Sequence, residues 1–189
     1  YAFKSTFTNN LRAAHIAAFP ANLPGAPTTN IGNRSRFIGC VIEDPSDVST
    51  RGISVWGSEA VLIDQTGFYD LNGYSLSFDD ATGEVYGCEF LDFETGVKVT
   101  NTAGYTTGFD LEIGKESDPS KGNDFVDGAI AGVWAENAQN LQIHQNNFET
   151  ILVPIAISGP SYYRVTHNSV IDFFRGSQLQ NTFAFNDQA

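Results

Sequence analysis

The chain has 189 residues, of which 41% are hydrophobic, and its 22 acidic and 10 basic residues give a formal net charge of −12. This length and composition suffice for one domain with its own core, and no apolar run approaches the ~18 residues that would predict membrane insertion. The charge argues against a nucleic-acid or anionic-membrane partner, because both would repel it.

A short phrase recurs along the chain: an apolar anchor, a polar corner two residues later, and then a glycine that opens an alternating segment. Its clearest copy is FVDGAIAGVWA, which begins at Phe125. The spacings between successive anchors are 35, 26, 22, 35, 23 and 22 residues. A recurring period of this size predicts a repeat architecture in which each repeat stacks on its neighbours. The anchors are Phe7, Ile42, Phe68, Phe90, Phe125, Phe148 and Val170.

Within each repeat, apolar residues occupy every second position, which is typical of β-strands. Such segments follow the anchors, as at 133–135, and others precede them, as at 141–143. Residues 11–19 could instead form a helix, but the Ala14/Ile16 pair also fits a strand. We therefore predict an all-β chain with about three short strands per repeat. Its anchors should form a parallel column, with a phenylalanine stack at Phe68, Phe90, Phe125 and Phe148.

The two intervals of 35 residues predict surface loops. We place these loops at 20–33 and 114–122, where turn-forming residues concentrate. Gly39, Gly87 and Gly122 each lie three residues before an anchor, and Gly96 and Gly132 open alternating strands. Tight bends at such positions require a positive φ or a close approach of the backbone, which glycine tolerates.

Residues two positions before the anchors predict both a hydrogen-bond ladder and the state of the cysteines. Asn123, Asn146 and Asn168 take this position in consecutive repeats, so their amides can bond to one another at the ~4.8 Å strand spacing. Cys40 and Cys88 take the same position with one repeat between them. Their separation should be about 9–10 Å, beyond the ~7 Å limit for a disulfide. We predict two buried free thiols.

The repeated polar corner, glycine and alternating strand resemble the right-handed parallel β-helix proteins, a group that includes pectate lyases, tailspikes and many secreted surface proteins. The resemblance runs from about residue 5 to residue 174. It implies a single β-helix domain over 1–189, with about seven coils of 22–26 residues and two loop insertions. It says little about function, because this fold serves enzymes and inert stalks alike.

More narrowly, FTNNLRAAHI and NRSRFIGCVIED are similar to coils of very large secreted bacterial proteins, some of them exported by the type IX secretion system. This similarity implies an extracellular or cell-surface location. Phe7 already belongs to a repeat, and the tail at 177–189 looks like a further one. We therefore expect flanking coils or domains in a longer chain.

Four aspartates lie two residues after consecutive anchors: Asp44, Asp70, Asp92 and Asp127. Stacked carboxylates repel one another unless a cation bridges them or backbone N–H groups bond to each. A row of oxygen ligands suits Ca²⁺, whereas an Asx-type corner would satisfy each aspartate within its own turn. Asn9 takes the same position in the first repeat and favours the corner, so we assign no metal site.

The alternating strand after each anchor has an outward row formed by His15, Ser54, Ser77, Lys98, Trp134 and Ala156. Trp134 beside Lys98 could stack a sugar ring, and the resemblance implies that polysaccharide enzymes use this face. The candidate ligand-binding residues are therefore Trp134, Lys98 and His15. The row contains no carboxylate pair of the kind that glycosidases require, so we assign no catalytic residue.

Taken together, these patterns favour an extracellular structural or adhesive module whose partner is a polysaccharide or a surface protein. The alternative is a polysaccharide lyase or glycoside hydrolase of the same fold, with its site on the outward row or under the two loops. A third hypothesis is a segment of a phage or virion spike. Whether the chain is an enzyme stays open at this point.

Overall fold

The computed structural model describes residues 1–17, 34–46, 51–101, 111–138, 140–159, 162–173, 178–180 and 183–184, the last two segments by their backbone alone. These residues form strands and a single turn of 3₁₀ helix at Pro119–Lys121. The strands are β1 (Ala2–Phe3), β2 (Thr6–Thr8), β3 (Arg12–Ala17), β4 (Arg36–Ile38), β5 (Val41–Glu43), β6 (Arg51–Trp56), β7 (Val61–Asp64), β8 (Gly67–Asp79), β9 (Gly83–Tyr86), β10 (Glu89–Thr100), β11 (Leu111–Ile113), β12 (Asp124–Glu136), β13 (Leu141–His144), β14 (Asn147–Ser158), β15 (Tyr162–Thr166), β16 (Ser169–Ile171), β17 (Gln178–Gln180) and β18 (Phe183–Ala184).

The strands belong to two parallel sheets. Over the described ranges, the first sheet has the order β1-β4-β7-β9-β11-β13-β15-β18. The second sheet has the order β16-β14-β12-β10-β8-β5-β2, with β3 on β6, β6 on β8, and β17 on β14. The chain alternates between the sheets, so the neighbour of each strand comes from the next repeat. The predicted all-β, parallel organisation is confirmed, and residues 12–17 form a strand rather than a helix.

The long strands of the second sheet are bent. A register irregularity separates Phe93 from Thr95 in β10, and Gly128 from Ala131 where β12 pairs with β14. The part before this irregularity, which contains the anchor, is called the first leg, and the part after it the second leg. Strands β2, β5 and β16 extend the first legs, whereas β3, β6 and β17 extend the second legs. Each repeat thus supplies three straight segments, namely one strand of the first sheet and the two legs of the second sheet.

The anchors lie opposite one another in the first legs, and the middle ones, from Ile42 to Phe148, belong to the core. Phe68, Phe90, Phe125 and Phe148 are fully buried. Their rings are stacked in sequence, with centroid distances of 4.8, 4.4 and 4.9 Å. The predicted phenylalanine stack is therefore confirmed. Phe7, Ile42 and Val170 continue the same column in register.

The asparagine ladder is also confirmed. Asn123 Nδ2 donates to Asn146 Oδ1 at 2.8 Å, and Asn146 Nδ2 donates to Asn168 Oδ1 at 2.9 Å. The same oxygens accept backbone N–H groups, from Asn123 at 3.0 Å and from Asn146 at 2.9 Å. The ladder thus ties three successive repeats together where the chain passes from the first sheet to the second.

The glycines serve the two purposes that the sequence suggested, a positive φ or a close approach of the backbone. Gly39 and Gly87 have φ values of +61° and +57° at their bends. Gly122 instead has a φ of −65°, but a Cβ there would lie 1.9 Å from the backbone O of Gln145, so this glycine permits a close approach of the backbone. In the alternating strands, a Cβ on Gly96 would lie 2.7 Å from the Phe125 ring. That glycine makes room for the phenylalanine stack.

Cys40 and Cys88 are buried free thiols, as predicted. Their flanking anchors, Ile42 and Phe90, both pair with Phe68, so a whole repeat separates the two cysteines. Burial raises the pKa of the Cys88 thiol to about 12. A thiol of this kind is structural rather than nucleophilic, since the thiolate is the reactive form.

The loop predicted at 20–33 lies outside the described residues. In the other long interval, ten residues (101–110) connect β10 to β11, and ten more (114–123) connect β11 to β12. The corresponding connections of the next repeat have four and two residues. The extra length is thus divided between two connections, whereas the sequence pointed only to 114–122. Among the described residues, no helix has the length and apolar character needed to cross a membrane.

Candidate functional site

The outward surface of the second legs, called here the second-leg face, carries the three predicted ligand-binding residues. Lys98 lies directly opposite Trp134 on the adjacent strand, as expected. His15 is three strands away from Lys98, or about 14 Å at the usual strand spacing. Ser54 and Ser77 lie between them and are buried, with 4% and 5% exposure. The structure therefore brings together Lys98 and Trp134 but not His15.

A second row of side chains lies two residues further along each strand, and the sequence interpretation missed it. Residues two apart in a strand share a face, so this row belongs to the second-leg face as well. It supplies two carboxylates, Asp79 and Glu136, and the other of the two tryptophans in the chain, Trp56. Extending the period-two pattern by one step would have revealed it. In register order the row is Ala17, Trp56, Asp79, Thr100, Glu136 and Ser158.

The ammonium group of Lys98 is held by Tyr74 and affects the pKa of Asp79. Its Nζ donates to Tyr74 Oη at 3.2 Å and lies 4.5 Å from the centroid of that ring. This geometry combines a hydrogen bond with a cation–π contact. Burial raises the pKa of Asp79, and the nearby Lys98 ammonium opposes that rise without cancelling it. Asp79 therefore binds a proton more tightly than an exposed aspartate does.

Trp134 presents a half-buried aromatic ring beside an apolar groove. Its Nε1 donates to Glu136 Oε1 at 3.1 Å, which fixes the polar edge of the ring. The groove has a volume of about 200 Å³. Apart from Ser158, the residues that line it with Trp134 are apolar: Ile130, Ala131, Val153, Ala156 and Ile157. The site therefore combines an apolar floor with polar groups at its edge.

The four aspartates that follow consecutive anchors lie at corners of the chain. Asp70, Asp92 and Asp127 have φ values of +56°, +51° and +57°, and each is exposed. Asp44 differs, since it is buried and accepts from the backbone N and the Oγ of Ser46 at 3.3 and 2.7 Å. That arrangement is the predicted Asx-type turn. Within the described part of the chain, no group of three or more His, Cys, Asp or Glu is placed to hold a metal ion.

The other two histidines, His144 and His167, lie in different surroundings. His167 is an exposed turn residue with a φ of +55°. His144 ends β13 and is fully buried, and its Nδ1 lies 2.6 Å from Thr166 Oγ1. Burial lowers the pKa of His144, which favours the neutral ring. Its role is therefore structural.

Comparisons with known proteins give no family for this chain. No family model, curated protein or solved structure matches it. Its function must therefore be argued from the chemistry of the second-leg face.

Proposed function

We propose that the chain is a right-handed parallel β-helix of about seven coils that serves as an extracellular structural and adhesive module and binds glycan through the second-leg face. It would belong to a larger secreted or cell-surface bacterial protein. The fold part of the proposal is supported by parallel strands in two sheets, the bent second sheet and in-register columns that recur in each repeat.

The main support for glycan binding is the set of groups that surround Trp134. Ligand sites commonly combine apolar or aromatic surface with a few fixed polar groups. Here the indole ring and the apolar groove suit the C–H face of a sugar ring, while Glu136 and Lys98 can accept from and donate to its hydroxyl groups. The polar groups are already held by neighbours, so little side-chain entropy would be lost on binding.

The position of Trp56 relative to Trp134 indicates that the ligand is extended. Trp56 is 41% exposed and lies in the row next to that of Trp134. Three strand spacings separate the two tryptophans along the sheet, or about 14 Å. A saccharide chain running across the strands would contact both rings and pass over Asp79 and Lys98 between them. A single monosaccharide would reach one ring only.

The test is binding of neutral and acidic polysaccharides to the purified chain. We expect saturable binding of at least one of them, and a loss of at least about tenfold in affinity in Trp134→Ala, because central aromatic residues dominate binding energies. The matched control is Tyr162→Ala, which removes an exposed aromatic residue from the first sheet. Unchanged binding in Trp134→Ala, an equal loss in the control, or no binding at all would contradict the proposal.

A second candidate function is hydrolysis of the bound glycan, and the specific observation that favours it is the pair Asp79 and Glu136. They face the same side from strands two apart, with about 9–10 Å between their Cα atoms. Inverting glycosidases place their carboxyl groups, rather than their Cα atoms, about 6.5–9.5 Å apart. Side chains that lean slightly towards each other from these two strands would reach that separation. Asp79, with its raised pKa, would be the general acid, and Glu136 the base that activates water.

Under this second candidate, wild-type protein should release reducing ends from at least one polysaccharide of the panel. Asp79→Asn should lower the rate at least about 100-fold, since it removes the acid, while binding is retained. Asp70→Asn is the control, because it makes the same change at an exposed corner of the first leg. Absence of turnover on every substrate would exclude hydrolysis and leave the adhesive function in place.

A further inference from the structure

The outer surface of the first sheet has a groove that is independent of the second-leg face. Its volume is about 360 Å³. It crosses three neighbouring strands, in which Arg36 pairs with Leu62, and Leu62 pairs with Glu84. Arg34, Ala60 and Thr82 lie just before these three strands and line the same groove. One wall is therefore formed by arginines, the floor by Ala60 and Leu62, and the other wall by Thr82 and Glu84.

Among the described residues, the arginine wall has no internal counter-charge. Both side chains are exposed, and neither has an ion-pair or hydrogen-bond partner among the described residues. Glu84 is two strands away from Arg36, about 9–10 Å between Cα atoms, with Leu62 in between. Two neighbouring guanidinium groups without a partner in the described part of the chain are unusual in a protein with 22 acidic and 10 basic residues. They form a local positive site on an acidic molecule.

We propose that this groove binds the carboxylate of an acidic saccharide unit, such as a uronic acid. Guanidinium groups match carboxylates through paired, charge-assisted hydrogen bonds. The short side chain of Ala60 leaves space above the floor, and Leu62 offers an apolar surface to the sugar ring. Glu84 then accepts from the ring hydroxyl groups at the opposite wall. Thr82 Oγ1 already accepts from the Ala60 backbone N at 2.8 Å, so its own proton remains for the ligand.

The overall charge narrows the class of ligand. A net charge of −12 repels a densely charged polyanion, and two arginines offset only a small part of that field. The groove therefore suits one carboxylate on an otherwise neutral saccharide, at a chain end or in a sparsely charged glycan. This groove lies on a different sheet from Trp134. A failure of the glycan-binding function proposed above would therefore not disprove carboxylate binding here, and the reverse also holds.

The experiment is calorimetric titration of the full chain with glucuronate, glucose and acetate at low ionic strength. We expect glucuronate to bind saturably and at least about tenfold more tightly than glucose or acetate, because only glucuronate engages both walls. Arg36→Gln should weaken glucuronate binding at least about tenfold, and Glu84→Gln should weaken it to a smaller extent. The control Arg12→Gln makes the same charge change at an exposed residue of β3, outside the groove, and should leave binding unchanged.

Folding does not confound this test, because Arg36 is exposed and has no bond to another described side chain, and substitutions at such positions change stability by about 0.5 kcal/mol or less. Acetate binding as tightly as glucuronate would overturn the saccharide assignment. An equal loss in Arg12→Gln and Arg36→Gln would show a general charge effect and overturn the site, as would the absence of saturable glucuronate binding. Trp134→Ala should bind glucuronate normally, which distinguishes this groove from the second-leg face.

Discussion

Phe125→Ala should lower the free energy of unfolding by about 3–5 kcal/mol, the range for removing a buried aromatic ring. The ring is fully buried and stacked between Phe90 and Phe148, at 4.4 and 4.9 Å. It also meets the edge of Phe93 at 6.2 Å. The loss is large beside the ~5–15 kcal/mol total stability of a typical domain. The cavity cannot close easily, because the strands on both sides are held in register by their backbone bonds.

The measurement is urea unfolding followed by circular dichroism, with Phe7→Ala as the matched control. Phe7 occupies the same anchor position at the start of the column, but it is half-buried, and its nearest ring, Phe37, is tilted at 6.4 Å. We expect Phe7→Ala to cost less than half as much, since water already reaches that side chain. Equal costs for the two variants, or less than about 1 kcal/mol for Phe125→Ala, would show that the stack does not hold the core together.

Much of the fold follows from the sequence because the core requires equivalent positions to face one another. Phe90 and Phe125 are 35 residues apart and Phe125 and Phe148 only 23, yet both pairs are in register. A slip of one residue would turn every buried side chain of a strand to the other face, so apolar alternation fixes the pairing. Loops carry no such constraint. For this reason the composition of 114–122 revealed one insertion, while the one at 101–110 gave no comparable signal.

The candidate sites were less predictable, since they depend on which outward residues become neighbours. The adjacency of Lys98 and Trp134 followed from register alone. The raised pKa of Asp79 did not follow from register, because it arises from burial on a face that the alternation of the sequence predicts to be solvent-exposed. The groove beside Arg36 could not be predicted either. It depends on Ala60 lying at the floor and on two arginines that have no acidic partner among the described residues, and spacing along the chain reveals neither.

Asn146→Ala should lower the free energy of unfolding by at least about 3 kcal/mol, despite the small change in apolar surface. The side chain of Asn146 accepts from the backbone N and the Nδ2 of Asn123, and it donates to Ile113 O and Asn168 Oδ1. Asn146 is 1% exposed, so water cannot readily replace it. Truncation leaves several buried polar groups unsatisfied, and each such group costs about 1–3 kcal/mol. Asn147→Ala is the control, since no hydrogen bond of its half-buried side chain is found among the described residues, and it should cost about 0.5 kcal/mol or less.

Asn146→Asp separates the hydrogen-bond argument from a simple loss of packing, because the side chain keeps its shape while the donor becomes an acceptor. At neutral pH a carboxylate oxygen would face two other acceptors, Ile113 O and Asn168 Oδ1, which should raise the pKa of the new carboxyl group above its unfolded value. The folded state then binds a proton more tightly than the unfolded state. The deficit relative to wild type is therefore full above the folded-state pKa, and it shrinks as the pH falls through that pKa towards the unfolded value. Parallel urea titrations of both proteins from pH 7 to pH 4 measure this difference, and a deficit that stays constant with pH would rule out the lost donor as its cause.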